Sequence, residues 1–494
     1  MKLFFWHKYS KASRPAFVLA AIITAFLLIS TFKLDLRVVM DEPWLSVPGH
    51  TLITQGKLAI PPFQGSAEGY DRIMLVPPLQ LLLLAGVFKL FGLGLIQGRL
   101  LSVFFGALTI LGTYLLAKQL YDTRIALAAA VLLAADNYFF LASRSIRGEI
   151  FVAFFLLLSV YALLNAQRKN RPGFYLASGV ALGLGVLSHQ NAVLGLVALM
   201  LMFYLAEGFS MLIKRGLYIF FVGLILTMLP YFIFLLLAGH YFGYAYIWKQ
   251  LEMDGRVLPI FSLAWLLVSL KGEIYQRYTD FIYFPSRLHI ALLYGGALIY
   301  GFYKKNKAEM ILLSVVCSYI VLFYVLVVNK NVRYLVNFLP FVCILTAGMI
   351  FELCKSAFGK WLGKILPLAI VAVMVISELA VTAVFFRKYS DSGYNKFMEQ
   401  VAASVPARAS VYAPITFWFG LRDHAFYAYN RVPFKDALNK YKVRTYIFED
   451  KIPWAYQNET ATIQAYMKKY GILLNRIHNS FYGDINIYKI SDRQ

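Results

Sequence analysis

This chain is short of charge, and shortest of acid. Of 494 residues only 15% are Asp, Glu, Lys or Arg, and the acids number 25 against 48 Lys and Arg. So thin a charged complement cannot cover a water-soluble surface, which excludes a soluble globular fold. Cysteine is scarce: Cys317, Cys343 and Cys354 all fall within or beside apolar runs, so no disulfide framework is implied. There is no closely spaced His/Cys metal motif, no Walker phosphate loop and no dinucleotide fingerprint. Tandem repeats and low-complexity tracts are missing too.

What the chain has instead is apolar length. Hydrophobic residues make up 60% and mean hydropathy is +0.64. Apolar runs of about 20 residues recur, the length a helix needs to cross hydrocarbon. The net charge of +23 does not point to nucleic acid. Lys and Arg sit in short clusters between the apolar runs, the pattern of cytoplasmic loops beside anionic headgroups. The N-terminus is basic (Lys2, Lys8, Lys11, Arg14) and then apolar from Pro15 to Leu34. That run is too long for a cleaved signal and no small-residue cleavage site follows, so it is read as a retained first helix.

Eleven spans are expected, near 15–34, 97–117, 125–141, 150–165, 173–188, 191–206, 216–238, 289–303, 309–328, 334–353 and 365–386. A further apolar stretch at 73–92 contains Pro77-Pro78, which suits a helical first turn. Laid on the outer surface, it leaves Lys118/Arg124, Arg168-Lys169-Asn170-Arg171, Lys214-Arg215, Lys304-Lys305-Asn306-Lys307 and Lys355/Lys360/Lys364 all inside, as the positive-inside rule asks. The outer face then collects a long loop at 35–96, the short loop with Arg144, Arg147 and Glu149, a loop at 239–288, and the turn at 329–334. Within 239–288, Leu258 to Leu270 is apolar but too short to span, so it is expected as an interfacial helix.

After Phe386 the sequence turns polar and mixed. Residues 409–413, 444–448 and 485–490 read as strands, and 434–441 and 459–470 as helices. The expected architecture is an all-α polytopic membrane domain over 1–386 with about eleven transmembrane helices, followed by a small extracytoplasmic α/β domain over 387–494.

In a chain with few acids, their placement is informative. Asp41-Glu42 comes seven residues after the first span, and Glu149 opens a later one in Ser143-Arg144-Ser145-Ile146-Arg147-Gly148-Glu149. Charge at membrane-helix ends is costly to desolvate, so it is kept for chemistry or for salt-bridging. The bland readings are a solvated loop start for the pair and a dipole-stabilising carboxylate for Glu149. Arg144 and Arg147, three apart, share a helical face. Like Arg333, they could hold an anionic group or meet lipid phosphates. His189-Gln190 interrupts an apolar run; the histidine could be structural, a phosphate donor or a metal ligand. Glu68 or Glu149 with His189 could make a weak divalent-cation site.

The ordered series is Asp41-Glu42, Gly56, Pro77-Pro78-Leu79, Phe91-Gly92, Arg99-Leu100-Leu101-Ser102, Ser143-Arg144 through Glu149, and Arg333-Tyr334 with Pro340. This series resembles polytopic glycosyltransferases of the GT-C fold, specifically the dolichyl-phosphate-mannose protein mannosyltransferase and aminoarabinose-transferase-like group. The similarity covers roughly residues 15–345. It departs at Glu149, where the family usually has Asp, and at His189, where many relatives carry Lys.

The resemblance implies a multi-pass protein of a bacterial or archaeal cell membrane. Its donor would be a polyprenyl-phosphate-linked sugar, and its acceptor a lipid, glycan or protein on the extracytoplasmic side. It implies Asp41 as general base, with Glu42 and Glu149 the other candidate catalytic carboxylates, Glu149 orienting the acceptor or tuning Asp41. Arg333, Tyr334, Arg147, Arg144 and His189 would surround the donor phosphate. One base and one direct displacement would invert the anomeric carbon, and two adjacent carboxylates would raise one another's pKa. The competing reading is a transporter or flippase of lipid-linked sugars, which would place charge nearer mid-bilayer. A non-catalytic scaffold would tolerate loss of both Asp41 and Glu149. An oligosaccharide transferase would need a peptide-binding motif that 387–494 does not display.

Overall fold

The computed structural model describes residues 2–64, 77–237, 262–283, 287–327, 330–359, 361–429, 431–449 and 457–490. Each of the eleven expected apolar spans contains helix among its described residues. Among the described residues, eight helices are long and apolar enough to cross a membrane. They include α1 (Lys2–Thr31), α4 (Leu95–Leu120), α7 (Glu149–Lys169) and the helix Arg215–Leu237. Two others, α8 (Pro172–Ser188) and the helix Leu288–Lys304, have 17 residues each, about 25 Å at the helical rise and at the short end for a span.

The stretch expected as one helix over 125–141 is broken. Helices α5 (Thr123–Ala135) and α6 (Asn137–Ser143) meet at 65°. Asp136 is the reason. One carboxylate oxygen accepts from the N–H groups of Tyr138 and Phe139, starting α6. The other accepts from Arg287, which also donates to Glu378 at 2.7 Å. A capping aspartate takes a non-helical backbone, so the axis turns there.

The expected loop at 35–96 is also more ordered than its composition suggests. Asp41 begins a helix, α2 (Asp41–Gln55), closed by Gly56 at φ +70°. Two acids in a first turn face the positive end of the helix dipole, and Pro43 lies early enough to lose no hydrogen bond. Helix α3 (Pro78–Phe91) starts at the second proline. Its 14 residues reach about 21 Å, too short to cross. Gly49 lets the two pack closely: an added Cβ would meet Ala85 N and Leu81 O at 3.2 Å. Glu68, Asp71 and the start of the 73–92 stretch lie outside the described residues, as do 258–261. The rest of the expected interfacial helix is found as Leu263–Gly272, which runs into a π-turn at Glu273–Tyr278.

The last long helix, Leu362–Lys388, leads into a five-stranded sheet of order β2-β1-β3-β5-β4. Its strands are β1 (Ser410–Ala413), β2 (Ala425–Ala428), β3 (Thr445–Glu449), β4 (Gly471–Asn479) and β5 (Gly483–Ile490). The first three are parallel, and β5 runs antiparallel to both β3 and β4. Side chains alternate between faces. Val411, Ala413, Ile447, Ile485 and Ile487 pack with Leu45, Leu81, Leu84 and Phe88 of α2 and α3. Tyr412, Tyr446 and Phe448 pack with Phe434, Ile463 and Met467 of the helices Phe434–Asn439 and Gln457–Tyr470. The sheet therefore stands on α2 and α3. That seating brings the β4–β5 turn down to the segment joining α1 to α2.

Candidate active site

Between α1 and Asp41 the backbone is irregular, with Lys33 and Arg37 at φ 45° and 32°. Such a segment must find hydrogen-bond partners outside regular structure. It does so completely: every carbonyl from Phe32 to Met40 accepts from a protein donor. Arg144 donates to Phe32 O at 2.7 Å and Lys33 O at 2.6 Å. Arg99 donates to Leu34 O, Leu36 O and Arg37 O at 2.6–2.7 Å. Asp35 O takes the Tyr394 N–H and Val38 O the Tyr482 hydroxyl, both at 3.0 Å. Val39 O and Met40 O take the N–H groups of Glu42 and Trp44. The loop is thus rigidly placed without secondary structure of its own.

The same Arg99 fixes the start of α2. Its Nε and Nη2 meet the two oxygens of Glu42 at 2.7 and 2.6 Å. Glu42 is wholly buried and also accepts from the N–H groups of Ile146 and Val39 at 3.1 Å. Both of its oxygens are occupied twice over, so it is positioned to hold structure rather than to exchange a proton.

Asp41, one residue earlier, is different. Its side chain is 32% exposed and pairs with Arg147. Arg147 in turn donates to Glu149 from Nη2 at 2.6 Å and from Nε at 3.0 Å. Asp41 and Glu149 are therefore joined across a single guanidinium. Burial works against the Arg147 charge, but the Glu149 carboxylate beside it holds its pKa above the usual arginine value. The mutual repulsion expected of two neighbouring carboxylates is offset by the cation lying between them.

Arg99, Glu42, Arg147 and Glu149 border a cavity of about 360 Å³, within the range of small-ligand sites; Asp41 is joined to it through Arg147. Five arginines (Arg37, Arg99, Arg144, Arg147, Arg333) line it against three carboxylates (Glu42, Glu149, Asp280). Arg333 enters from the 3₁₀ turn Val332–Asn337, where its own N–H is capped by the Asn331 side chain. It has no acidic partner among the described residues. Burial, and then Arg147 nearby, push its pKa down to about 10, so it stays charged at neutral pH. Arg144 also borders the cavity, but its guanidinium caps the end of α1 through four carbonyls and stacks on Phe140 and Phe386. Both of its terminal nitrogens thus already donate to backbone carbonyls, which argues against its expected place on the phosphate. Arg147 is likewise engaged, by the two acids.

His189 ends α8 beside this site. Its Nδ1 accepts from Asn191 N–H, and its ring lies 5.7 Å from that of Tyr334. Burial lowers its pKa despite the Glu149 charge, so it is neutral, with its proton on Nε2. It cannot supply the fixed positive charge of a lysine. The expected divalent pairing of Glu149 with His189 meets a Glu149 already bound by Arg147, and the described residues bring no three of His, Cys, Asp and Glu together. Glu68 lies outside them. Arg99 as a structural tie and Arg37 as a cavity residue were not among the site candidates read from the sequence. Arg99 is embedded in an apolar span, where a charge is unusual enough to have been a signal. For Arg37 there was none.

Residues 76–234 match the family model described as dolichyl-phosphate-mannose-protein mannosyltransferase. No curated protein sequence matches the chain. Among solved structures, ArnT from Cupriavidus metallidurans bound to undecaprenyl phosphate superposes with a TM-score of 0.65 at 13% identity, over 96% of this chain and 98% of that one. The Archaeoglobus fulgidus oligosaccharyltransferase tethered with an acceptor peptide gives 0.59 at 14% identity, over 96% and 74%. The same organism's AglB, in complex with an inhibitory peptide and a dolichol-phosphate, gives 0.55 at 15% identity, again over 96% and 74%. With apolar helices of spanning length, a buried Arg–carboxylate site at the end of the first of them and this likeness along its whole length, the chain is a membrane protein of the GT-C fold.

Proposed function

We propose that this protein is an integral-membrane glycosyltransferase. It moves a sugar from a polyprenyl-phosphate donor to an acceptor nucleophile on the extracytoplasmic face, with inversion at the anomeric carbon. One observation carries the reading. A carboxylate pair held by one guanidinium, Asp41 and Glu149 on Arg147, is joined through Arg147 and Glu149 to the cavity that Arg333 also lines, an arginine without an acidic partner among the described residues. The first group suits proton removal and the second an anion. The fold neighbours with bound undecaprenyl phosphate and dolichol-phosphate support a lipid phosphate as that anion.

The chemistry follows from these positions. An acceptor hydroxyl or amine attacks the anomeric carbon while the bond from that carbon to the phosphate oxygen breaks. The bonding pair leaves with the polyprenyl phosphate, and the acceptor proton passes to Asp41. The departing phosphate gains charge, so Arg333 binds it more strongly in the transition state than in the donor. Glu149 holds Arg147, and Arg147 aims Asp41. His189, neutral, adds an N–H near Glu149 without adding charge.

The test is consumption of donor. Purified protein is incubated with a panel of polyprenyl-phosphate monosaccharides and membrane extract as acceptor source, beside Asp41→Asn. Sugar transfer by the wild type alone supports the reading. Silence of the wild type across the panel with extract present overturns it.

A further inference from the structure

The C-terminal sheet does more than cover the membrane domain: its β4–β5 turn reaches the cavity wall. Asn479 folds this turn by accepting from the N–H groups of Phe481 and Tyr482 at 2.9 and 3.2 Å. Gly483 follows at φ +82°, a conformation that favours glycine. The two residues at the tip then make separate contacts with the α1–α2 segment. The buried Tyr482 hydroxyl exchanges two hydrogen bonds with Val38, accepting from its N–H and donating to its carbonyl, each at 3.0 Å. The Phe481 ring lies 5.5 Å from the Arg37 guanidinium.

Arg37 is unusual in three ways. Its backbone sits at φ 32°, a strained position for a residue with a side chain and one that recurs at functional sites. It lines the cavity beside Phe385, yet its guanidinium meets no carboxylate among the described residues. It is held instead by aromatic rings: Tyr389 at 5.1 Å, Phe481 at 5.5 Å and Phe385 at 5.9 Å. Ring faces attract a cation without neutralising it. A salt bridge would have cancelled the charge; a ring of aromatics fixes its direction and leaves it available to an anion.

We propose that Arg37 is a second phosphate-binding residue of the cavity, opposite in chain position to Arg333, and that Phe481 and Tyr482 of the C-terminal sheet position it. The two arginines together would grip a phosphate ester from two elements. The sheet becomes a structural part of the donor site, so any group that docks on it and shifts the β4–β5 turn would change donor affinity. The identity of the anion as a lipid phosphate rests on the function proposed above.

The experiment measures binding, not turnover, with two probes titrated separately into the full chain in detergent: undecaprenyl phosphate and inorganic phosphate. Variants are Arg37→Ala, Arg37→Lys, Phe481→Leu, Tyr482→Phe and Arg333→Ala, with Phe481→Leu and Tyr482→Phe repeated in the Arg37→Ala background. Arg37→Ala is expected to weaken binding about tenfold, the worth of one charged hydrogen bond, with an unchanged melting temperature, and Arg37→Lys to restore part of it. Phe481→Leu and Tyr482→Phe are expected to weaken binding several-fold alone and to add nothing in the Arg37→Ala background, because they act through Arg37. Arg37-dependent affinity for either probe supports the site, and the tighter probe names the source of the phosphate. Wild-type affinity in Arg37→Ala, alongside a loss in Arg333→Ala, overturns this inference and leaves the proposed function standing. Equal effects of Tyr482→Phe in both backgrounds overturn the positioning role. Failure of the wild type to bind either probe overturns both.

Discussion

Arg99 and Glu42 face one another through two parallel hydrogen bonds, in a place where neither side chain is more than 4% exposed. Arg99 carries on from that pair to three carbonyls of the α1–α2 segment. One guanidinium thus ties the membrane bundle, the first helix of the site and the segment that bears Arg37.

Removing one member of a buried ion pair strands the other, at about 3–5 kcal/mol. Glu42→Gln is therefore expected to lower the melting temperature in detergent. Arg99→Lys should do the same, since an ammonium cannot reproduce the forked geometry. A Glu42→Gln protein that melts like the wild type but no longer turns over would instead make Glu42 a proton-transfer group.

Asp41→Asn should behave in the opposite way. The side chain is one-third exposed and Arg147 keeps Glu149, so the fold loses little. Turnover should fall about 10²–10⁴-fold, the usual worth of a general base. Melting curves beside initial rates separate the two effects; near-normal turnover removes Asp41 from the base role.

Arg144 and Arg333 look alike in the sequence and should differ on mutation. Arg144→Ala uncaps the end of α1 and is expected to cost stability first. Arg333→Ala breaks no salt bridge among the described residues, and is expected to raise the donor KM while leaving the melting temperature in place. Thermal unfolding and donor saturation curves on both variants decide it. Equal melting losses would mean that Arg333 also holds structure.

Much of this was legible before any coordinates. The spans announce themselves because hydrocarbon demands a continuous apolar run, and Pro77-Pro78, read as a helical first turn within 73–92, stands where α3 begins. The acids stood out because so few are present. Four things were not legible, three because they depend on tertiary partners and one because the local pattern is weak. The 65° break at Asp136 needs Arg287 and Glu378, far along the chain. The division of labour among Arg144, Arg147 and Arg333 is set by which carbonyls and carboxylates each one reaches. Strands β2 and β4 lack a clear period: β2 has four residues, and in β4 Ile472, Leu473 and Leu474 run consecutively and remain exposed. Tyr482 meets Val38 across 444 positions, a separation no local pattern encodes.

Glu449, at the end of β3, gives a pH signature for the C-terminal sheet. It is buried opposite Ile485 on β5, with the Thr416 hydroxyl at 3.3 Å. Burial pushes its pKa up to about 8 from 4.5. Its folded-state pKa is thus raised above the unfolded one. The neutral carboxyl favours the folded state fully below pH 4.5, and that advantage is lost as pH rises through about 8. Within that window stability should fall by up to about 1.4 kcal/mol per pH unit. Glu449→Gln, which cannot ionise, should not show this loss. The stability difference between the two proteins, followed by thermal unfolding from acid to mildly basic pH, should therefore move steadily in favour of the glutamine variant. A difference that stays flat across the range would mean that burial does not raise the Glu449 pKa in the folded protein.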